Sequence, residues 1–384
     1  MRFGFIFLLF ASLAATTFAG GDLRIGLFQG KALEGVTIVS VKGDVWFVID
    51  ESEDIHLKPG ESADVFATSA GINITIKGKV AMTCASLSLK PSKGSTYRIR
   101  PPEKKTNMRI YEDELQFYKR LNGVQLVLEI DLENYVGGVV EAESGKGKLI
   151  EYYKVQSVIS RTYALNNLRR HEAEGFHLCD ATHCQVYHGK NQFEPLIAKA
   201  IKATEDVVVV DSEIQMITAT FHSNCGGHTV NSEEVWSKAL SYLVGRPDTF
   251  CVKMPNSQWE KSIPSSDWNG YLKRKKQLAP DSVWVCISPN SRQYFPVDST
   301  SLVPTKLIRE DFKLKSSYFT VNNSGPDVRL MGRGFGHGVG LCQEGAMVMA
   351  GYGYTYKDII HFYYKDVHLI PRTFIRFFAD DGGS

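Results

Sequence analysis

The sequence predicts an α+β protein, in which a β-rich N-terminal region precedes a mixed α+β core. Short β-branched runs separated by glycine and proline turns dominate the first part of the chain. A helical stripe of apolar residues then runs from Leu149 to Leu168. Strands and helices follow it in irregular order, so a regular βαβ array is not expected.

The individual elements follow from periodicity and from turn residues. Turns at Gly43-Asp44, Lys58-Pro59-Gly60, Lys77-Gly78 and Asn122-Gly123 separate the β-branched runs. The long helix is expected to end near Gly175. The predicted strands are residues 23–28, 36–39, 45–49, 72–76, 114–118, 124–130, 207–210 and 216–221, and the other predicted helices are residues 194–202, 341–350 and 356–364.

The N-terminus has the pattern of an export signal. Arg2 precedes an apolar stretch from Phe3 to Ala15, and Thr17-Phe18-Ala19 provides a small-x-small cleavage site. We expect removal of residues 1–19 and a periplasmic or extracellular mature chain; an uncleaved anchor is the alternative. Pro101-Pro102 marks a linker between a β-rich region, residues 20–102, and a catalytic domain, residues 103–375.

Composition narrows the possible partners. The formal net charge is +2, which gives no electrostatic reason to expect nucleic acid or acidic lipid as a partner. Seven cysteines permit disulfides in an exported chain, and the odd count leaves at least one thiol unpaired within it.

Five glycines alternate with other residues from Gly332 to Gly340. Because glycine loses the most backbone freedom on folding, this use indicates sharp bends or a close approach by another group. His337, Gln343 and Glu344 belong to the same run. A ligand-free strand–turn–helix junction is the alternative, and the spacing excludes a dinucleotide fingerprint and a Walker loop.

Glu141 and Glu143 precede the long helix in an apolar context. An extended segment would place both side chains on one face, whereas a helix would separate them. One carboxyl group in an apolar pocket would have a raised pKa and could act as a general acid. The alternative is negative charge favoured at a helix N-terminus.

Two further polar segments stand out. His177, Cys179, His183 and Cys184 could surround one zinc ion, although a Cys179–Cys184 disulfide is equally compatible with their spacing. Residues 221–229 follow a strand and place serine, asparagine, histidine and threonine around paired glycines, which indicates a polar loop at a cleft.

Five ordered blocks resemble the SpoIID/LytB family, the stage II sporulation protein D group of bacterial cell-wall proteins. The match covers about residues 110–370. The blocks are residues 132–143, 160–165, 184–189, 221–229 and 332–346.

The resemblance implies lytic transglycosylase activity on peptidoglycan glycan strands, with cleavage between N-acetylmuramic acid and N-acetylglucosamine and a 1,6-anhydro end as product. Strands stripped of stem peptides would be preferred. The essential glutamate would be Glu143, as acid on the glycosidic oxygen and then as base on the muramoyl 6-hydroxyl. The implied substrate-binding residues are Arg161, Tyr163, Gln185, Tyr187, Ser223, His337 and Gln343.

The resemblance also favours structural zinc at His177, Cys179, His183 and Cys184, with no cofactor required for the chemistry. We expect the glycine run to form one wall of a glycan groove, with the 221–229 loop opposite and Glu143 between them. This chain departs from the family at Ser144-Gly-Lys-Gly-Lys148, where Met-Pro is usual. That change leaves open a second function, a non-catalytic wall-binding enhancer of an amidase.

The cysteines in these blocks also depart from the family. Cys225 and Cys342 stand where hydroxyl-bearing or small residues are more usual, and they are candidates for one disulfide. Cys251 and Cys286 are candidates for another. Spacing does not decide the connectivity of these residues or of Cys84.

Overall fold

The computed structural model of the chain describes residues 22–29, 33–50, 53–76, 79–101, 109–121, 123–190, 194–236, 238–278, 292–298 and 300–375. The predicted export signal, Cys286 and part of the predicted linker lie outside these residues. Within the described ranges, none of the helices has both the length and the apolarity that a bilayer span requires.

The described residues before Leu132 form twelve strands. Burial alternates along them; in the third strand, for example, Val45, Phe47 and Ile49 are buried and the residues between them are partly exposed. The strands are β1 (Asp22–Leu27), β2 (Gly35–Lys42), β3 (Val45–Ile49), β4 (Glu53–Leu57), β5 (Ser62–Ala67), β6 (Ile72–Ile76), β7 (Lys79–Cys84), β8 (Leu87–Pro91), β9 (Thr96–Arg100), β10 (Arg109–Tyr111), β11 (Glu114–Arg120) and β12 (Gly123–Asp131).

These strands form two large sheets that share one hydrophobic core. One sheet has the order β10-β9-β2-β5-β6-β7; the other includes β1-β12-β11-β8-β3-β4 and gains β13 (Leu178–Cys179) beside β1. β1 pairs with β12 antiparallel and with β13 parallel. Backbone pairing therefore crosses the predicted division at residues 102–103 and connects the first strand to the cysteine-containing segment.

The helices of the core follow β12. They are α1 (Leu132–Ser144), α2 (Ile150–Asn166), α3 (Pro195–Ala203), α4 (Ser265–Lys275), α5 (Thr305–Asp311), α6 (Gln343–Gly351) and α7 (Tyr356–Tyr363). The predicted α+β class is confirmed. α2 ends before the predicted Gly175, because turns and a short 3₁₀ segment (Glu172–Glu174) fill the intervening residues.

The remaining strands lie in small sheets. They are β14 (Val207–Val210), β15 (Phe221–His222), β16 (Gln258–Pro264), β17 (Gln277–Leu278), β18 (Tyr294–Pro296), β19 (Ser301–Pro304), β20 (Phe319–Ser324), β21 (Asp327–Arg333), β22 (Leu341–Cys342) and β23 (His368–Pro371). The strand predicted over residues 216–221 is wrong for most of its length, since only Phe221 belongs to a strand.

Residues between the 221–229 loop and the glycine run form a second, smaller hydrophobic core. It gathers around Trp268 of α4 and includes Ile308 of α5 and Leu330 of β21. The sheet β16-β21-β20 covers it. β21, the last strand of this segment, leads directly into the glycine run, which returns to the 221–229 loop.

Candidate functional site

Glu143 lies in the last turn of α1, at the opposite end from the cap. Asp131 caps the N-terminus of α1 by accepting hydrogen bonds from the backbone N–H groups of Glu133 (2.8 Å) and Asn134 (3.1 Å). The helix dipole therefore does not favour a negative charge at Glu143. This placement corrects the alternative interpretation of the two carboxylates as helix-starting charges, and it separates Glu141 and Glu143 around the helix.

The Glu143 carboxyl group is half-buried and suited to hold a proton. Burial raises its pKa, and the opposing influence is the N–H of Val186, which donates to Oε1 at 2.9 Å. The same N–H fixes the direction of the carboxyl group. A positioned carboxyl with a raised pKa has the properties of a general acid.

Buried polar side chains with incomplete hydrogen bonding adjoin this end of α1. Burial raises the pKa of Tyr152, whose hydroxyl faces Ser144 and Gln156 without an aligned hydrogen bond. Charge on either Glu143 or Cys342 raises it further, so both groups lie within electrostatic range of one phenol. Gln343 Nε2 also has no partner among the described residues, and α6 packs against α2. Such groups need water or a hydroxyl-rich ligand.

The sequence suggested that the glycine run and the 221–229 loop face each other across a groove. In the structure they are in direct contact instead. β15 and β22 pair directly, and Asn224 and Phe335 exchange backbone hydrogen bonds of 3.0 and 2.8 Å. Gly334 has φ of 75°, and a Cβ there would lie 2.5 Å from the Asn224 carbonyl oxygen. The close approach that the glycines permit is therefore that of the loop itself.

His337 connects these two segments. Its Nδ1 accepts the N–H of Val339 at 3.1 Å, so Nε2 carries the proton and donates to the Phe221 carbonyl oxygen at 3.0 Å. Burial lowers the pKa of His337 to about 4, which keeps the ring neutral at physiological pH. Both ring nitrogens serve the fold. His337 is accordingly a positioning residue for the loop rather than a free substrate ligand.

The other candidates from the loop and α6 are partly engaged as well. Ser223 Oγ accepts a hydrogen bond of 3.3 Å from Asn256 Nδ2. The buried Glu344 carboxylate accepts from Asn224 (2.6 Å) and Asn256 (2.7 Å), so it stabilises the loop. Gln343 therefore keeps the most unused hydrogen-bonding capacity in this group.

Arg161 and Tyr187, which the resemblance suggests as substrate-binding residues, are both fully buried and make their contacts within the protein. The fully buried Arg161 guanidinium forms two bonds to the Glu133 carboxylate, of 2.7 and 2.5 Å, and a third to the Val207 carbonyl oxygen at 3.0 Å. Tyr187 is fully buried and its ring contacts Gly138. Arg161 joins α1 to α2 and β14, and Tyr187 fills the core, because the helix-rich blocks face inward.

Tyr163 and Gln185 lie at different places. The Tyr163 hydroxyl accepts a hydrogen bond from Arg170 at 3.1 Å. Burial raises the pKa of Tyr163, and charge on Cys184 or Cys179 raises it further, so Tyr163 lies beside the cysteine-containing segment. Gln185 is buried next to Val186, the residue that holds Glu143, and its Nε2 has no partner among the described residues.

The structure brings together three of the four predicted metal ligands and replaces the fourth. Ligand atoms of His171, Cys179, His183 and Cys184 all lie within 4.8 Å of one another. His171 Nε2 is 3.4 Å from Cys184 Sγ, and its Nδ1 is 2.6 Å from the Glu174 carboxylate. The predicted ligand His177 instead accepts the Arg24 N–H at 3.0 Å through Nδ1, beside the β1–β13 pairing.

This donor set suits zinc. Two sulfur and two nitrogen donors fill a tetrahedral site, and a carboxylate on the remaining nitrogen of one histidine is the usual outer partner. Sequence proximity favoured His177 over His171. The turn that follows α2 brings His171 back to the cysteines. No local sequence motif predicts that this histidine is a ligand.

A cavity of about 490 Å³ lies beside the N-terminal half of α1. Glu112, Asp113, Glu133 and Lys190 are among its lining residues, and Glu143 is not. Burial raises the pKa of Asp113 to about 7, and the neighbouring Glu112 charge adds to this rise. The cavity therefore does not coincide with the residue expected to carry the chemistry.

Comparison with known proteins supports the resemblance. Residues 120–210 match the model of the SpoIID family, described as Stage II sporulation protein. Stage II sporulation protein D of Bacillus subtilis is 29% identical over 262 residues, which cover 64% of this chain and 76% of that protein. An uncharacterized protein of Brachyspira hyodysenteriae is 28% identical, covering 68% and 72%.

The amidase enhancer of Bacillus subtilis is 27% identical over 342 residues, which cover 72% of this chain. Only 47% of that relative's length is matched, so this chain spans about half of it. The resemblance to the SpoIID/LytB family is confirmed by the family match and by the names of these relatives.

Proposed function

We propose that this chain, which contains the SpoIID domain of the SpoIID/LytB family, is an exported cell-wall protein that cleaves peptidoglycan glycan strands as a lytic transglycosylase. The observation that carries the proposal is the oriented carboxyl group of Glu143. It is half-buried, its pKa is raised by burial, and the Val186 N–H holds Oε1 at 2.9 Å.

The reaction needs one residue that acts as acid and then as base. Protonated Glu143 donates its proton to the glycosidic oxygen while the C–O bond to the muramoyl C1 breaks and positive charge develops there. The resulting carboxylate takes the proton of the muramoyl 6-hydroxyl, whose oxygen forms the new bond to C1. The 1,6-anhydro ring replaces the attack by water, and Glu143 ends the cycle protonated.

Unused polar groups around Glu143 support a hydroxyl-rich substrate. Gln343 and Gln185 each keep an amide nitrogen without a partner among the described residues, and Gln156 keeps both of its amide atoms. These side chains come from α6, the segment after β13 and α2. Gln343 is the most exposed of the three, so its amide is the one that a sugar bound near Glu143 would contact.

The test is release of soluble fragments by the mature chain from two purified substrates, denuded glycan strands and the same strands with stem peptides. We expect release from denuded strands and less from the others. Binding to both substrates without release from either would favour the second candidate, a non-catalytic enhancer of a wall amidase. The observation that keeps this candidate is the similarity to the amidase enhancer.

Gln343→Ala should lower kcat/KM on denuded strands by about fivefold, because one hydrogen bond of ~1 kcal/mol to the sugar is lost. Its melting temperature should change little, since Nε2 has no partner among the described residues. His337→Ala is the comparison variant and should lose stability, because its ring bonds Phe221 and Val339. Normal turnover by Gln343→Ala would remove that residue from the substrate site.

We also propose one structural zinc ion bound by His171, Cys179, His183 and Cys184. Four protein ligands leave no position for a reacting water, so the ion would stabilise the turn after α2 and take no part in cleavage. We propose export and a cell-wall location as well, on the support of the family resemblance and of the predicted signal, residues 1–19.

His171→Ala should lower the zinc content by about one equivalent, whereas His177→Ala should leave it unchanged. The reason is geometric. Of these two histidines, His171 lies with the cysteines, whereas His177 accepts the Arg24 N–H. Elemental analysis of protein purified without chelator measures this, with circular dichroism to confirm folding. Loss of zinc in His177→Ala alone would restore the ligand set suggested by sequence. A Cys179–Cys184 disulfide in a metal-free protein would refute both sets.

A further inference from the structure

A second group of ligand atoms lies in the core, separate from the His171 cluster. The Sγ atoms of Cys225, Cys251 and Cys342 and a carboxylate oxygen of Asp248 all lie within 4.8 Å of one another, and all four residues are buried. Cys225 belongs to the 221–229 loop, and Asp248 and Cys251 lie about twenty residues further along the chain. Cys342 is the N-cap residue of α6. The proposed reaction uses none of them.

A disulfide accounts poorly for this arrangement. Cys225 Sγ lies 3.3 Å from Cys251 Sγ, while the sequence had suggested Cys225 and Cys342 as a pair. A Cys225–Cys251 or a Cys225–Cys342 disulfide would leave the third thiol and the Asp248 carboxylate buried beside the new bond. A buried carboxylate is costly unless a cation or a metal compensates its charge. The Cys225 thiol donates to the Asp248 carboxylate at 3.2 Å, and a divalent ion shared by the four donors would compensate the carboxylate charge more fully.

Hydrogen bonds from backbone N–H groups and from the Tyr363 hydroxyl orient members of the group. Cys342 Sγ accepts the backbone N–H groups of Cys225 at 3.3 Å and Gly345 at 3.4 Å. The Asp248 carboxylate accepts the Phe250 N–H at 3.0 Å and the Tyr363 hydroxyl at 2.9 Å. Partners of this kind are typical around metal ligands, where they fix the donor atoms and raise their basicity.

Two neighbouring residues fit the same interpretation. A Cβ at Gly345 would lie 2.7 Å from an Asp248 carboxylate oxygen, so glycine is required there for the carboxylate to reach the sulfurs. Arg292 is buried and donates from Nη2 to the Cys225 carbonyl oxygen at 2.8 Å. Its charge would offset part of the negative charge that three thiolates and a carboxylate keep around a divalent ion.

We propose that Cys225, Asp248, Cys251 and Cys342 bind a zinc ion that joins the 221–229 loop to the start of α6. Three sulfurs and one oxygen form a closed tetrahedral set for a borderline-soft divalent ion, which suits zinc in a structural role. The ion would fasten the backbone next to Gln343. This inference does not depend on the proposed glycan cleavage.

Variants of the mature full chain test the site by zinc content after purification without chelator. Wild type should hold about two equivalents, one for each cluster, and Cys251→Ser should hold about one fewer. Cys84→Ser is the matched control: Cys84 is also buried and unpaired, but its Sγ donates to the Ile72 carbonyl oxygen at 3.3 Å. It should keep all of the zinc. Tyr363→Phe should weaken zinc retention against a chelator by ~10–100-fold.

Wild-type protein decides the question even if Cys251→Ser fails to fold. After unfolding with chelator and without reductant, a thiol-blocking reagent should label Cys225, Cys251 and Cys342, as read from peptide masses. A disulfide between any two of them would overturn the proposal. So would a folded His171→Ala protein that holds no zinc, because the second site should remain filled there.

Discussion

Glu143→Gln is expected to abolish cleavage of denuded glycan strands, with a loss of ~10²–10⁴-fold or more, because one group serves both proton transfers. The amide keeps the shape of the side chain and cannot donate the required proton. The folded state should survive, since Glu143 is half-buried and the Val186 N–H can still donate to an amide oxygen. Fragment release and melting temperature together measure the effect.

Glu141→Gln is the matched control on the same helix. The two residues diverge around α1, so removal of the Glu141 charge should leave cleavage near the wild-type rate. An inactive Glu141→Gln beside an active Glu143→Gln would show that the acid has been assigned to the wrong carboxyl group.

The pH dependence has a definite sign. Burial raises the pKa of Glu143, so the protonated form persists to higher pH than for an exposed glutamate. Cleavage should fall as pH rises through that raised pKa, because the acid form is lost.

Arg161→Met is expected to destabilise the fold by about 3–5 kcal/mol, the usual range for breaking a buried ion pair. Arg161 is fully buried, and its guanidinium bonds Glu133 twice and the Val207 carbonyl once. The substitution would leave the Glu133 carboxylate and a carbonyl oxygen without their donor. Chemical unfolding monitored by circular dichroism measures the free energy of unfolding.

Arg169→Met is the comparison, because Arg169 is exposed on the turn after α2. It should change the free energy of unfolding by less than about 0.5 kcal/mol. If Arg161→Met unfolds like wild type but no longer binds glycan, Arg161 belongs to the substrate site after all.

Periodicity in the sequence was sufficient for α2 and for most of the predicted strands, whereas α1, the helix that carries Glu143, was not predicted. The apolar stripe after Leu149 forms α2, and the β-branched runs before it form paired strands, because each buries one face. The strand predicted over residues 216–221 was too long, since Met216 forms only an isolated bridge with Val210 and residues 217–220 are irregular. α4 and α5, which pack in the separate small core, were also not predicted.

The site was predictable by type of residue and less so by contact. A carboxylate in an apolar block and a His/Cys cluster were both apparent, yet His171 joins its cluster only through the turn after α2. Arg161 and Tyr187 belong to motif blocks, but the fold turns them inward. Asp248 meets three cysteines through long-range packing, and its local sequence carries no sign of a ligand.

The central claim is that the chain cuts glycan strands by intramolecular attack of the muramoyl 6-hydroxyl. Mass spectrometry of fragments released from purified denuded strands tests it most directly, because an anhydro end weighs one water less than a reducing end. We expect every new muramoyl end to carry the 1,6-anhydro ring, and Glu143→Gln protein to release none. Fragments with reducing muramoyl ends would mean that water attacks, and the proposed mechanism would be wrong.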